Sequence, residues 1–249
     1  MNSSEKIILL IGDSFGIKRV YQGDCYVSAE GAWPEQVKRQ FPNHKIISDF
    51  RSYRRFVEIP QMITEKYPDC DLVIVHAGIV DCFPRPLSSD VTRSPKKIYS
   101  WLRRLVRKMR RFWINYIYNK AWSSAEDIEN ACNQYVELGK CRQIALITPV
   151  PMPLTEYINT PGVQESLIVY ANRLRALSKE HQFDLIDIHK ELIASDFSKY
   201  LYPHDMHLNQ LGNDWLAQQA IDYLKAKLQS ASSPNDQSQS KVAAGFTLC

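Results

Sequence analysis

Five short runs of continuous, largely β-branched apolar residues punctuate the 249-residue chain, at Ile7 to Ile11, Lys45 to Ile47, Leu72 to Val75, Ile144 to Ile147 and Leu185 to Ile188. A strand that alternates apolar and polar residues keeps one face wet, whereas a strand that is apolar throughout needs cover on both faces. Helical periodicity fills much of the intervening sequence, at Pro34 to Gln40, Ile59 to Glu65, Ser124 to Leu138 (capped by Ser123 or Ser124), Val163 to His181 and Asn209 to Leu228. This alternation predicts an α/β fold with a mostly parallel, five-stranded sheet joined by right-handed crossovers. Open sheets of this kind carry their functional groups at the carboxyl ends of the strands. Residues 1–228 read as one domain, and the Ser-, Gln-, Asn- and Ala-rich stretch 229–249 as a disordered tail.

Several classes of protein are excluded. The longest stretch without Asp, Glu, Lys or Arg is Gln143 to Thr155, with three prolines, well short of the roughly 18 apolar residues that a spanning helix needs. The first apolar run ends at Gly12-Asp13 with no small-residue cleavage site behind it, unlike a signal peptide. Six cysteines include no CxxC pair, which argues against a zinc module and a disulfide frame. A reducing cytoplasm is the expected compartment.

The net charge of +4 is local in origin. Nine Lys or Arg and no acid fall between Arg93 and Arg111, leaving 22 bases against 27 acids elsewhere. Lys96 to Trp122, within an insertion at about 94–122, places Ile98, Trp101, Leu102, Leu105, Val106, Met109, Phe112, Trp113, Tyr116 and Ile117 at helical spacing, with cations on the remaining faces. The segment reads as a basic amphipathic helix. Its stripe either packs on the domain or docks peripherally on an anionic membrane surface. No nucleic-acid recognition motif accompanies the charge.

The first run leads into Gly12-Asp13-Ser14-Phe15-Gly16, where two glycines let the chain turn sharply and expose a serine at a strand tip. Such a serine is either a capping residue or a nucleophile, and a nucleophilic hydroxyl needs a base. His207, in Tyr202-Pro203-His204-Asp205-Met206-His207-Leu208-Asn209 before the last helix, is the best candidate. His44, His76, His181 and His189 lack comparable polar company.

Gly-Asp-Ser near the start and an Asp/His pair before the final helix resemble the SGNH (GDSL-type) hydrolase family over about residues 6–228. The resemblance implies a three-layer α/β/α, flavodoxin-like sandwich and an esterase, lipase, carbohydrate acetylesterase or O-acyltransferase activity with no metal or organic cofactor. It makes Ser14 the nucleophile with its own N–H as an oxyanion donor, and His207 the general base. Asp205 becomes the acid, two positions before the histidine where the family usually has three. Pro149-Val150-Pro151 is also similar to the family.

Two oxyanion blocks depart from the pattern. Gly78-Ile79-Val80-Asp81 carries valine where the family usually has asparagine, and Ser48 to Arg55 contains no glycine. Loss of one such donor typically costs about 10² to 10³ in rate. Asp13, Arg51, Ser52, Gly78, Asp81 and Arg85 are therefore the candidate substrate- or oxyanion-binding residues, with Arg54 a further guanidinium in the same stretch. Gly78-Ile79-Val80-Asp81-Cys82-Phe83-Pro84-Arg85 resembles a Gly-Ile-Val-Asp-Cys-x-Pro-Arg block of an SGNH branch associated with bacterial surface-polysaccharide synthesis. The implied substrate is an acylated carbohydrate, a small-molecule or glycan ester. The alternative is an impaired SGNH-fold module that binds glycan or serves as a scaffold.

Overall fold

The structure, a computed structural model, describes residues 5–20, 26–95, 97–117, 121–152, 160–181, 183–202 and 206–230. In chain order the strands are β1 (Ile7–Gly12), β2 (Arg19–Val20), β3 (Tyr26–Val27), β4 (Lys45–Phe50), β5 (Leu72–His76), β6 (Gln143–Ile147) and β7 (Asp184–Ile186). The helices are α1 (Trp33–Gln40), α2 (Ile59–Lys66), α3 (Ile79–Cys82), α4 (Ser89–Arg93), α5 (Lys97–Lys108), α6 (Arg110–Tyr116), α7 (Ala125–Gly139), α8 (Val163–His181), α9 (Ile188–Ile193) and α10 (Gln210–Ser230). Five strands form one parallel sheet in the order β4-β1-β5-β6-β7. Counted along the chain this is 2-1-3-4-5, the flavodoxin-like doubly wound order, which reverses direction at β1.

The continuous hydrophobicity of the runs has the expected cause. Ile8, Leu9, Leu10, Ile11 and Leu72 to Val75 are all buried, because helices cover both faces of the sheet. Helices α1 and α10 pack together on one face, and α2, α7 and α8 cover the other. Local capping agrees with the sequence. Ser124 and Asp127 form a reciprocal capping box at the start of α7, and Pro34 sits in the first turn of α1.

Two expectations change. The run at Lys45 continues as a strand through Ser48, Asp49 and Phe50, whose backbones pair with Leu10, Ile11 and Gly12. The basic segment is not one helix. Helices α5 and α6 meet at Met109, where ψ is 24°, although the i to i−4 bonds Met109 N–H to Leu105 and Trp113 N–H to Met109 run through the bend. The stripe is also largely uncovered. Val106 and Ile114 turn inward, while Trp101, Leu105, Met109, Phe112, Tyr116 and Ile117 are exposed. Helix α10 runs two residues past the expected boundary, and the rest of the tail, 231–249, lies outside the described residues.

Candidate active site

Parallel pairing aligns the ends of three strands. Gly12 lies opposite Phe50 of β4 and His76 of β5, so the loops after all three strands leave the sheet side by side. Their backbones are also tied together. The Asp13 N–H donates to His76 O (3.1 Å) and the Arg51 N–H donates to Gly12 O (3.2 Å). Gly12 is required by this closeness, since a Cβ there would come within 2.1 Å of the His76 carbonyl oxygen.

Immediately after β1, Ser14–Gly16 forms a single 3-10 turn, capped by the Asp13 carboxyl, which accepts from the Phe15 N–H (3.1 Å). Ser14 is the first residue of that turn, and the first N–H of a helical turn has no partner inside it. The serine therefore presents both a hydroxyl and an N–H at the mouth of the sheet.

The histidine arrives from the other end of the sequence. The segment before α10 is folded back by a Leu201–Leu208 bridge, with the Tyr202 N–H donating to His207 O (3.0 Å) and the Asn209 N–H to Tyr200 O (3.0 Å). Asn213, buried in α10, accepts from the Trp33 N–H (3.0 Å) and donates to Leu208 O (3.2 Å) and Asn209 O (3.0 Å). One amide thus holds the histidine loop, α10 and the start of α1 in register. In this frame the Ser14 Oγ lies 3.0 Å from His207 Nε2, and the Phe15 ring packs on the imidazole at 5.2 Å between centroids. Asp205 and His204 lie outside the described residues.

The Arg19 guanidinium also touches His207 Nε2. A guanidinium carries only donors, so it can bond Nε2 only while that nitrogen offers its lone pair. No motif marks Arg19. Arg19 is the first residue of β2, and its contact with His207 is what brings it to the site.

The remaining candidates separate. Asp13 is fully buried, and burial, reinforced by the nearby Asp81 charge, pushes its carboxyl up to about 7 despite the Phe15 N–H and the Arg85 and Arg19 charges. Asp81 does not face the mouth. Its carboxylate accepts from the Phe56 N–H (2.6 Å), the Val57 N–H (3.5 Å) and the Ser123 hydroxyl (2.7 Å), pinning the loop after β4 to α3, and burial raises it to about 6. The Arg51 side chain is exposed and 3.7 Å from Asp49, and its N–H is already committed to Gly12. Arg54 is buried in a structural role, bonded to Gly12 O and to Asp49. Burial disfavours the Asp49 charge, but hydrogen bonds from Arg54 and Tyr67 hold its carboxyl below the ordinary range.

Ser52 is exposed in the same loop, next to Tyr53, which has φ +63°. The left-handed position for which the sequence supplies no glycine is thus occupied by a tyrosine, at about 1–2 kcal/mol of backbone strain. Gly78 caps α3 with φ +125° and lies against the Tyr170 ring, a conformation closed to side chains. Val80 is buried in the core, and Cys82 is likewise buried, which drives its thiol far above the ordinary range and leaves it inert.

Arg85 occupies a distinct position. Its guanidinium lies 4.9 Å from the Phe83 and Trp122 ring centres and 5.9 Å from that of Tyr53. Nε is shielded from solvent without an acceptor. Burial lowers its pKa to about 10, with the Arg110 charge adding to the effect, so it remains a cation at neutral pH. A cavity of about 800 Å³ opens beside it and reaches Met206, the neighbour of His207. A separate cavity of about 750 Å³ between α2 and α7 contains none of these residues.

Comparison with known proteins follows this geometry. No curated protein matches the chain. Solved structures with the same fold include a lipase/acylhydrolase from Enterococcus faecalis (TM-score 0.59, 16% identity, 89% of this chain and 96% of that one). A carbohydrate acetylesterase family member from Sinorhizobium meliloti superposes with TM-score 0.60 at 14% identity, over 90% and 99% of the two chains. An acetyl xylan esterase, AlAXEase, gives TM-score 0.58 at 15% identity, over 88% and 99%. Likeness at this identity establishes the fold. The family model for GDSL-like lipases and acylhydrolases matches residues 10–215. That span starts within β1, ends within α10 and takes in the rest of the five-stranded sheet, so the chain belongs to the GDSL-like lipase/acylhydrolase family, the SGNH hydrolases.

Proposed function

We propose that the chain is a serine ester hydrolase or O-acyltransferase acting on an acylated carbohydrate. The 3.0 Å approach of Ser14 Oγ to His207 Nε2 carries this reading. His207 takes the hydroxyl proton as Oγ bonds to the ester carbonyl carbon, giving a tetrahedral oxyanion. Collapse expels the sugar alkoxide, which receives the proton from His207 Nε2 and leaves an acyl-Ser14. Water, or a second sugar hydroxyl, then gives its proton to His207 and attacks the acyl carbon; the adduct collapses with the Oγ–acyl bond breaking, His207 returns the proton to Ser14 Oγ, and the acid or a new ester is released. The Ser14 N–H and the Arg19 guanidinium supply the oxyanion donors in place of Val80 and the missing glycine. Arg19 releases Nε2 as the carbonyl oxygen takes its N–H. Asp205 enters as the carboxylate that orients the imidazole on its sequence position alone. The acetylesterases among the structural neighbours support a carbohydrate ester, and the Gly78 to Arg85 block supports a role in polysaccharide synthesis. Incubation with p-nitrophenyl acetate and a fluorophosphonate probe tests the reading. Turnover with labelling at Ser14 is expected, and folded protein that does neither refutes it.

The same protein is proposed to work peripherally at an anionic lipid surface, the inner face of a membrane in a cytoplasmic setting. Six of the eleven large hydrophobic residues found exposed lie between Trp101 and Ile117, with Trp101 at 66% and Tyr116 at 76%. Trp101, Leu105, Met109, Phe112 and Tyr116 advance in steps of three or four and so share one face. The basic side chains of the same segment complement anionic headgroups. Among the described residues no helix is long and apolar enough to cross a membrane.

A further inference from the structure

The cavity between α6 and the segment after α3 has an unusual electrostatic lining. Arg85, Lys108, Arg110 and Arg111 contribute to its wall, and among the described residues no Asp or Glu does. Buried guanidinium groups ordinarily meet a carboxylate, because removing a cation from water without compensation is costly. Arg85 has rings on its faces and, among the described residues, no hydrogen bond or ion pair. The Arg110 guanidinium lies 5.3 Å from the centre of the same Phe83 ring and donates to Thr160 Oγ1 (3.0 Å) and Pro84 O (3.5 Å). Two cations of like sign are thus fixed at one aromatic ring. The Asp13 carboxyl, the acid that interacts with Arg85, is itself largely protonated below about pH 7.

We propose that this cavity is a subsite for an anionic oxyacid group, a carboxylate or phosphate, carried by the sugar of the ester substrate. The inference rests on the esterase reading and deepens it. An oxyanion against the Arg85 guanidinium would supply the acceptor its buried Nε lacks, and the planar fork suits two-point binding of either group. Phe83 provides an apolar wall for a sugar ring, and Met206 links the cavity to the histidine loop. An acidic or phosphorylated sugar would then lie in the cavity while its ester group reaches Ser14.

Binding is tested without turnover, in full-length Ser14→Ala protein titrated calorimetrically with glucuronate, glucose 1-phosphate and neutral glucose. At least tenfold tighter binding of one anionic sugar is expected, and which one binds separates carboxylate from phosphate. Arg85→Gln should reduce that preference at least tenfold, and Lys108→Gln with Arg111→Gln provides a second variant if Arg85→Gln fails to fold. Equal binding of all three sugars, or an anionic preference unchanged in the folded variants, overturns the proposal. So does binding only to phosphatidylglycerol vesicles with none to soluble anionic sugars, which would assign the cations to a lipid headgroup. Fluorophosphonate labelling of the unmutated Ser14 reports separately on the esterase reading, so a preference for anions without labelling leaves the subsite standing and removes the hydrolase.

Discussion

Asp13→Asn isolates the electrostatic cost of the buried carboxyl next to Ser14. Burial raises Asp13 from an ordinary 3.8 to about 7. The folded protein therefore holds this proton more tightly than the unfolded chain does. The corresponding stability is fully present below about pH 3.8 and is lost as pH rises through 7. At about 1.4 kcal/mol per pH unit, the interval corresponds to about 4 kcal/mol. Asparagine retains an oxygen to accept the Phe15 N–H but does not titrate. Any cost of burying its amide is independent of pH and cancels when the two proteins are compared across pH. Urea unfolding of both proteins from pH 4 to pH 8.5 should show the variant gaining on the parent by about 4 kcal/mol over that range. A difference that stays flat, or shifts toward the parent with rising pH, would mean that Asp13 is ionised in the fold and neutralises Arg85. That result would refute both the burial argument and the case for an anion in the neighbouring cavity.

Ser14→Ala and His207→Ala should each lower kcat for p-nitrophenyl acetate by at least about 10³, and the double variant should be no worse than either, because the two groups act as one unit. Arg19→Leu is expected to lower kcat by about 10² with KM little changed, measured on the same ester, if the guanidinium serves the oxyanion. Asp81→Ala leaves the Phe56 N–H and Ser123 hydroxyl buried without their acceptor and should cost about 3 kcal/mol in urea unfolding at pH 7, with Asp81→Asn less damaging. Flotation with phosphatidylglycerol vesicles should carry the protein, weaken as salt rises and be abolished by Trp101→Glu with Phe112→Glu. Equal recovery with neutral phosphatidylcholine would sink the membrane reading.

The sheet was legible because its strands are buried on both faces, and burial leaves a compositional trace. Where burial is incomplete the trace fades. Ser48 and Asp49 extend β4 because β1 lies alongside and because Arg54 and Tyr67 satisfy the aspartate, neither of which an apolar run records. Ser14 and His207 were identifiable from local motifs on separate elements. The sequence around Asp81 resembles a pocket block and makes it a candidate binding residue, whereas its orientation is decided by Phe56, Val57 and Ser123. Arg19 and Asn213 have no local signal, since the partners that give them meaning lie at the far end of the chain. The apolar stripe on α5 and α6 is visible in the periodicity of the sequence, but periodicity reveals neither the bend at Met109 nor whether another element covers the stripe.

The Asn213 amide has a consequence for how such an enzyme would fail. Ser14 and His207 come from opposite ends of the polypeptide, and their meeting depends on the last helix remaining seated against the first. Catalysis would report on that seating rather than on the sheet. Gentle warming that frays the carboxy-terminal region should then inactivate the enzyme while most of its secondary structure persists, and cooling should restore turnover without a full refolding cycle.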